Sequence, residues 1–161
     1  MAEETTFRSI MGNYPTGVTV ITTSSPEGEP VGLTVNSFTS VSMDPKLISW
    51  SIDKSVSTHD IFTEQESFAV HTLAHNQGDI CMLFATKGTD RFSQIDWHSS
   101  ENNLPIIHGY SGLLECKVHK TVDAGDHTML IGEVVNAHNQ ETEPLLYHQR
   151  VFGAIPKEFY K

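Results

Sequence analysis

The chain has 161 residues, 38% of them hydrophobic and 19% charged, with a formal net charge of −10. That is the size and composition of one globular domain with a sizeable core. The negative charge argues against a grip on nucleic acid or on anionic membranes, although one or two local cations would suffice to hold a phosphate.

The N-terminal stretch MAEETTFRSIMGNYPTG is acidic and lacks an apolar run, so it does not read as a signal peptide. No segment approaches the length of a membrane-spanning helix. Phe7, Ile10 and Met11 fall on one face of a predicted N-terminal helix and are expected to pack inward. Strand-like runs then recur at Val18–Thr23, Val31–Val35, Leu47–Ile52, Phe68–Leu73, Leu113–Thr121 and Thr128–Val135. The loop Ser24–Pro30 suits a hairpin between the first two. A second helix is predicted around Ile61 and Phe62, with Ser57 or Thr58 as its cap. A third carries Ile80, Leu83 and Phe84, with Asp79 in its first turn. Roughly six strands without regular helices between them favour an antiparallel barrel over a parallel α/β sheet.

The segment Gly32–Asp53 is the richest in chemistry. Thr34, Ser37, Thr39, Ser40, Ser42, Ser49 and Ser51 offer hydroxyls, Asn36 an amide, and Phe38 and Val41 apolar cover. Neutral donors and acceptors beside apolar side chains suit a planar, amide-like ring bonded at its edge and covered on its face, although a solvated loop is the competing explanation. Ser55, Ser57 and Thr58 precede a helical segment, where hydroxyls and free N–H groups could seat a phosphate; Lys54, Lys87 and Arg91 could add charge.

Gly125-Asp126-His127 heads the Thr128–Val135 run. By local chemistry it is a turn. The nine histidines form no metal motif: His71 and His75 are four apart, but on a strand rather than a helix, so no protein-bound metal is expected. Cys81 and Cys116 belong to no Cys-x-x-Cys pair, which makes a reduced, cytoplasmic setting the default. Nucleophile elbow, P-loop and Rossmann glycine motifs are absent, so a nucleotide would have to be held in another way.

Together, MGNYPTGVTVITT (Met11–Thr23), PVGLTVNSFTSVSMDPKLI (Pro30–Ile48), DRFSQIDW (Asp90–Trp97), GDHTMLIGEV (Gly125–Val134) and PLLYH (Pro144–His148) resemble the short-chain flavin reductases. These are NAD(P)H-dependent reductase components of two-component monooxygenases. The resemblance runs from about Phe7 to Phe152 and implies one flavin reductase domain over residues 1–161. It implies a mainly β fold with a few helices, a split β-barrel of Greek-key antiparallel type that forms homodimers. It further implies FMN or FAD as cofactor, NADH or NADPH as co-substrate, and a reduced-flavin-dependent monooxygenase as partner. Thr34, Val35, Asn36, Ser37, Phe38, Ser40 and Val41 would line the isoalloxazine and ribityl chain. Ser55, Val56 and Ser57 would approach the phosphate, with Lys87 and Arg91 completing its seat. Gly125, Asp126 and His127 match the Gly-Asp-His signature beside the nicotinamide, with His127 and Asp126 as candidate catalytic residues and Phe152 as a further nicotinamide contact. Trp50 replaces a smaller residue common among relatives, so altered packing is expected after the flavin loop. YHQRVFG departs from the more usual Tyr/Phe–Arg–Gly type of ending, which leaves the part of Arg150 and Phe152 in nucleotide binding open. A flavin-bound electron carrier of the same fold is the competing function.

Overall fold

β-branched and aromatic residues form strands here because alternate side chains find two different apolar layers to enter. The computed structural model describes residues 2–88 and 90–161. Its helices are α1 (Ala2–Asn13), α2 (His59–Glu64) and α3 (Gly78–Ala85). Its strands are β1 (Thr16–Gly17), β2 (Thr19–Ser24), β3 (Pro30–Val35), β4 (Thr39–Met43), β5 (Lys46–Asp53), β6 (Ser67–Thr72), β7 (Trp97–Ser99), β8 (Pro105–Ile107), β9 (Gly112–Ala124), β10 (His127–Asn139), β11 (Leu145–His148) and β12 (Val151–Ala154).

Seven strands make one antiparallel sheet in the order β3-β2-β6-β9-β10-β5-β4, flanked by the small sheets β1-β11-β12 and β7-β8. The 13-residue strands β9 and β10 join its two halves. The first part of β9 pairs with β6, and the first part of β10 pairs with β5. Two register irregularities, at Ile131/Gly132 and Val134/Asn136, bend this long hairpin.

Strand β2 shows how the two cores arise. Ile21 enters a cluster with Trp50, Phe62, Phe68, Val70 and Leu130. Its neighbour Val20 enters a second cluster, with Leu73, Cys81, Phe84, Phe92 and Ile107 beneath α3. The two threonines that follow are buried because their hydroxyls bond backbone: Thr22 to Pro105 O at 2.6 Å and Thr23 to Ser67 O at 2.8 Å. Trp50 is fully buried, edge-on to Phe62 and Phe68 at 5.3 and 5.7 Å. The bulk expected to disturb the strand after the flavin loop is thus absorbed in the core, although its Nε1 has no hydrogen-bond partner among the described residues.

Three expectations need correction. Helix α1 forms, but Phe7, Ile10 and Met11 are 65%, 62% and 51% exposed. Gly12 O and Asn13 Oδ1 in its last turn bond the β11–β12 turn, while the apolar face of the helix stays largely open to solvent. Residues 39–43 are a strand, not a free connection, paired to β5 with a bulge between Ser40 and Ser42. Thr58 stands at the N-cap of α2, yet its hydroxyl makes no capping bond and is buried without a partner among the described residues.

Candidate active site

The end of β3 opens into two adjoining cavities that share Val18 and Asn36. The larger, about 330 Å³, lies between Asn36, Phe38, Thr16, Thr19, Leu73 and Leu145. The smaller, about 230 Å³, is walled by Thr34, Val35, Cys81, Met82, Tyr147 and Phe152. Of the residues expected to line a flavin, Thr34, Val35, Asn36 and Phe38 therefore come together. Phe38 and Val35 also pack against the first core cluster, which stiffens the loop from below.

Several hydroxyls of this segment have protein partners or face solvent. Ser37 Oγ accepts the Ser51 N–H at 2.9 Å and donates to Ser51 O at 3.2 Å, tying the loop to β5. Thr34 Oγ1 donates to Cys81 O at 2.7 Å and so joins β3 to α3. Ser40 and Val41 lie on β4 and are exposed.

At the C-terminal end of β5, Asp53 organises the proposed phosphate seat. Its Oδ1 accepts the Ser55 N–H at 2.8 Å and the Ser55 hydroxyl at 2.7 Å. These two bonds, ahead of the charges of His127 and Lys87, hold the Asp53 carboxyl below its ordinary range. Asp53, Ser55 and His127 thus share one neighbourhood, which feels the Lys87 charge. Ser57 is exposed nearby, whereas Val56 packs against the core. Arg91 is turned elsewhere: it donates to Thr86 O and, at 3.0 Å, to Gly32 O, fastening the segment that carries Lys87.

Gly125 and Asp126 form the turn between β9 and β10, with Gly125 at φ 69°. His127 opens β10 in register with Asp53. Ser51, which holds Ser37, pairs with Met129 two residues further along. The imidazole therefore sits one strand across and two residues along from the stitch of the flavin loop. Its Nδ1 lies 2.7 Å from Asp126 Oδ1, so the carboxylate accepts the Nδ1–H and Nε2 has no protein partner among the described residues. Asp126 can orient the ring because it occupies the turn rather than the opposite face of a strand.

Phe152 turns into the smaller cavity beside Tyr147, ring centroids 5.7 Å apart. Arg150 does not: with Gln149 it makes the β11–β12 turn at positive φ and is exposed. Thr16, Gly17, Tyr147, Cys81 and Met82 line the cavities without having been expected there. Pro15-Thr16-Gly17 and the pair of aromatics flanking a two-residue turn were the available signals for three of them.

Among the described residues no three His, Cys, Asp or Glu side chains gather as a metal site. His71 serves the core: its Nδ1–H donates to Val20 O and its Nε2 accepts the Ile107 N–H, both at 3.0 Å. Burial pushes the Cys116 thiol up to about 12 and raises Cys81 as well, so neither is a ready nucleophile.

The cavity pair fits a flavin. It combines apolar walls with a few uncharged donors, and the Thr16 hydroxyl at its edge is buried without a partner among the described residues.

The chain is similar to known flavin reductases. The chain is 41% identical over 152 residues to the FMN reductase (NADH) SmoA of Agrobacterium fabrum, covering 94% of this chain and 86% of that one. It is 45% identical over 129 residues to the reductase component of the flavin-dependent trigonelline monooxygenase of Acinetobacter baylyi, covering 80% of this chain and 42% of that longer protein. The structure of the Streptomyces globisporus NADH:FAD oxidoreductase SgcE6 with NAD and FAD fragments superimposes with a TM-score of 0.90 at 35% identity, covering 96% of this chain and 94% of that one. Residues 11–156 match the flavin reductase like domain, and the chain belongs to that family.

Proposed function

We propose that this chain is an NAD(P)H-dependent flavin reductase that binds FMN or FAD around Asn36 and receives the reduced nicotinamide beside His127. The observation that carries this reading is the Asn36 cavity pair, joined through Ser37, Ser51 and the β5–β10 register to the Asp126–His127 pair. Bound flavin supplies the hydride acceptor, so no side-chain nucleophile is required. The Asn36 amide and neighbouring main-chain groups bond the ring edge, while Phe38 and Phe152 cover apolar surface. Ser55, Ser57 and Lys87 approach the phosphate, with Arg91 holding Lys87's segment in place. His127 keeps a proton on Nδ1 for Asp126 and presents Nε2 outward to the carboxamide or pyrophosphate of the nicotinamide. The protein's contribution is alignment of two rings at reacting distance.

The seven-stranded order, with the loop after β3 bonded back to β5, supports a split-barrel reading. The exposed apolar face of α1 supports a homodimer in which a second copy covers Phe7, Ile10 and Met11. A reduced-flavin-dependent monooxygenase is the proposed consumer. Steady-state oxidation of NADH and NADPH with excess free FMN or FAD tests the reading. Turnover that depends on both protein and flavin supports it, and no turnover with any of the four pairs refutes it.

A further inference from the structure

Lys54 follows β5 directly and makes three contacts with the turn before β10. Its ammonium donates to Gly125 O at 2.7 Å and pairs with the Asp123 carboxylate. Its main-chain N–H donates to Asp126 O at 3.0 Å. These contacts fall on residues 123–126, immediately before His127. They draw Lys54 onto the hairpin, away from the role of phosphate cation that its sequence position suggested. Asp123 responds accordingly: the hydrogen bond and charge of Lys54 hold its carboxyl below the ordinary range.

The turn needs such an anchor. It closes a hairpin of two 13-residue strands, at the end where fraying begins, and Gly125 adds backbone freedom. The partner that orients the imidazole, Asp126, is itself 90% exposed, so its direction depends on the turn's backbone. We propose that Lys54 is a positioning residue for the reductase reaction: by clamping Asp123 and Gly125 with its ammonium it fixes where His127 meets the nicotinamide. This rests on the reading of His127 given above. An exposed ion pair contributes little to stability, so the clamp should show in geometry rather than in melting temperature.

The test compares Lys54→Met, Lys54→Arg, His127→Ala and the Lys54→Met/His127→Ala pair in the full chain. The readouts are nicotinamide-dependent flavin reduction, flavin Kd, Tm, and amide hydrogen exchange at residues 54, 126 and 127 without cofactor. Lys54→Met should lower kcat/KM for the nicotinamide about tenfold, as a misplaced contact group does. It should also speed exchange in the turn and leave flavin Kd and Tm near wild type. Lys54→Arg should restore most of both effects. In the His127→Ala background, Lys54→Met should add no further loss. Wild-type rates and exchange in Lys54→Met, or an equal further loss without His127, would overturn the proposal. Wild-type reduction by His127→Ala alone would sink the reading of His127 instead, and would remove a catalytic purpose for the clamp even if exchange showed that it holds the turn.

Discussion

The Ser37 hydroxyl holds the backbone of Ser51 from both sides, accepting its N–H at 2.9 Å and donating to its carbonyl at 3.2 Å. A side chain placed among expected flavin contacts thus fastens the loop that forms the cavity. Ser37→Ala should lower stability by about 1 kcal/mol, since it leaves a strand N–H without its partner, and should loosen flavin binding as a consequence. Asn36 has no such stitch and faces both cavities. Asn36→Ala should weaken flavin binding with Tm unchanged. Melting curves of the flavin-free variants and flavin titrations separate the two; equal Tm losses would contradict the division of roles.

His127 provides the complementary separation. His127→Ala should slow reduction by the nicotinamide but leave flavin affinity and Tm close to wild type. His127→Asn should recover part of the rate if hydrogen bonding outweighs charge. Reduction of bound flavin by dithionite should be the same in all three proteins. A dithionite defect matching the nicotinamide defect would place the fault in flavin binding.

Gly32 illustrates a different constraint. A Cβ built there would meet the Phe84 ring at 2.8 Å, and Arg91 bonds the carbonyl of the same residue. Gly32→Ala should cost about 1–3 kcal/mol by overpacking the α3–β3 contact. Chemical denaturation measures it, and restoration of stability by Phe84→Leu in the same chain would identify the ring as the cause.

What the sequence disclosed follows from the range of each interaction. Runs such as Val31–Val35 and Leu47–Ile52 announce strands because their alternation matches a pleated surface between two cores. Thr34, Val35, Asn36 and Phe38 were legible because neutral polar groups among apolar ones are unusual in a plain connection. The inward packing of Phe7, Ile10 and Met11 was misread because periodicity reports an apolar face without reporting what lies against it. The engagement of Arg91 with Gly32 O, 59 residues away, and of Lys54 with Gly125 O, 71 residues away, leaves no local pattern. Thr16 and Tyr147 were hidden for the same reason, since their strands are short and meet only in the folded chain.

His71 sets a pH limit on the fold. Burial pushes its pKa down from 6.5 to about 4, against smaller upward effects of Val20 O and Glu115. The unfolded chain takes up this proton below 6.5, while the folded chain refuses it until about 4. Stability should therefore fall by about 3 kcal/mol as pH drops through that window, the contribution being complete above it. Urea unfolding across the window measures the loss. His71→Gln, though less stable at neutral pH, should show a shallower slope by one proton; an unchanged slope would assign the pH dependence elsewhere.

Alignment of a nicotinamide over a flavin by this chain is tested most directly by anaerobic stopped-flow reduction using nicotinamide deuterated on one face of C4 or the other. The account predicts saturable, protein-dependent loss of oxidised-flavin absorbance, slowed by deuterium on one face only. Reduction no faster than the same nicotinamide and flavin mixed without protein would contradict it.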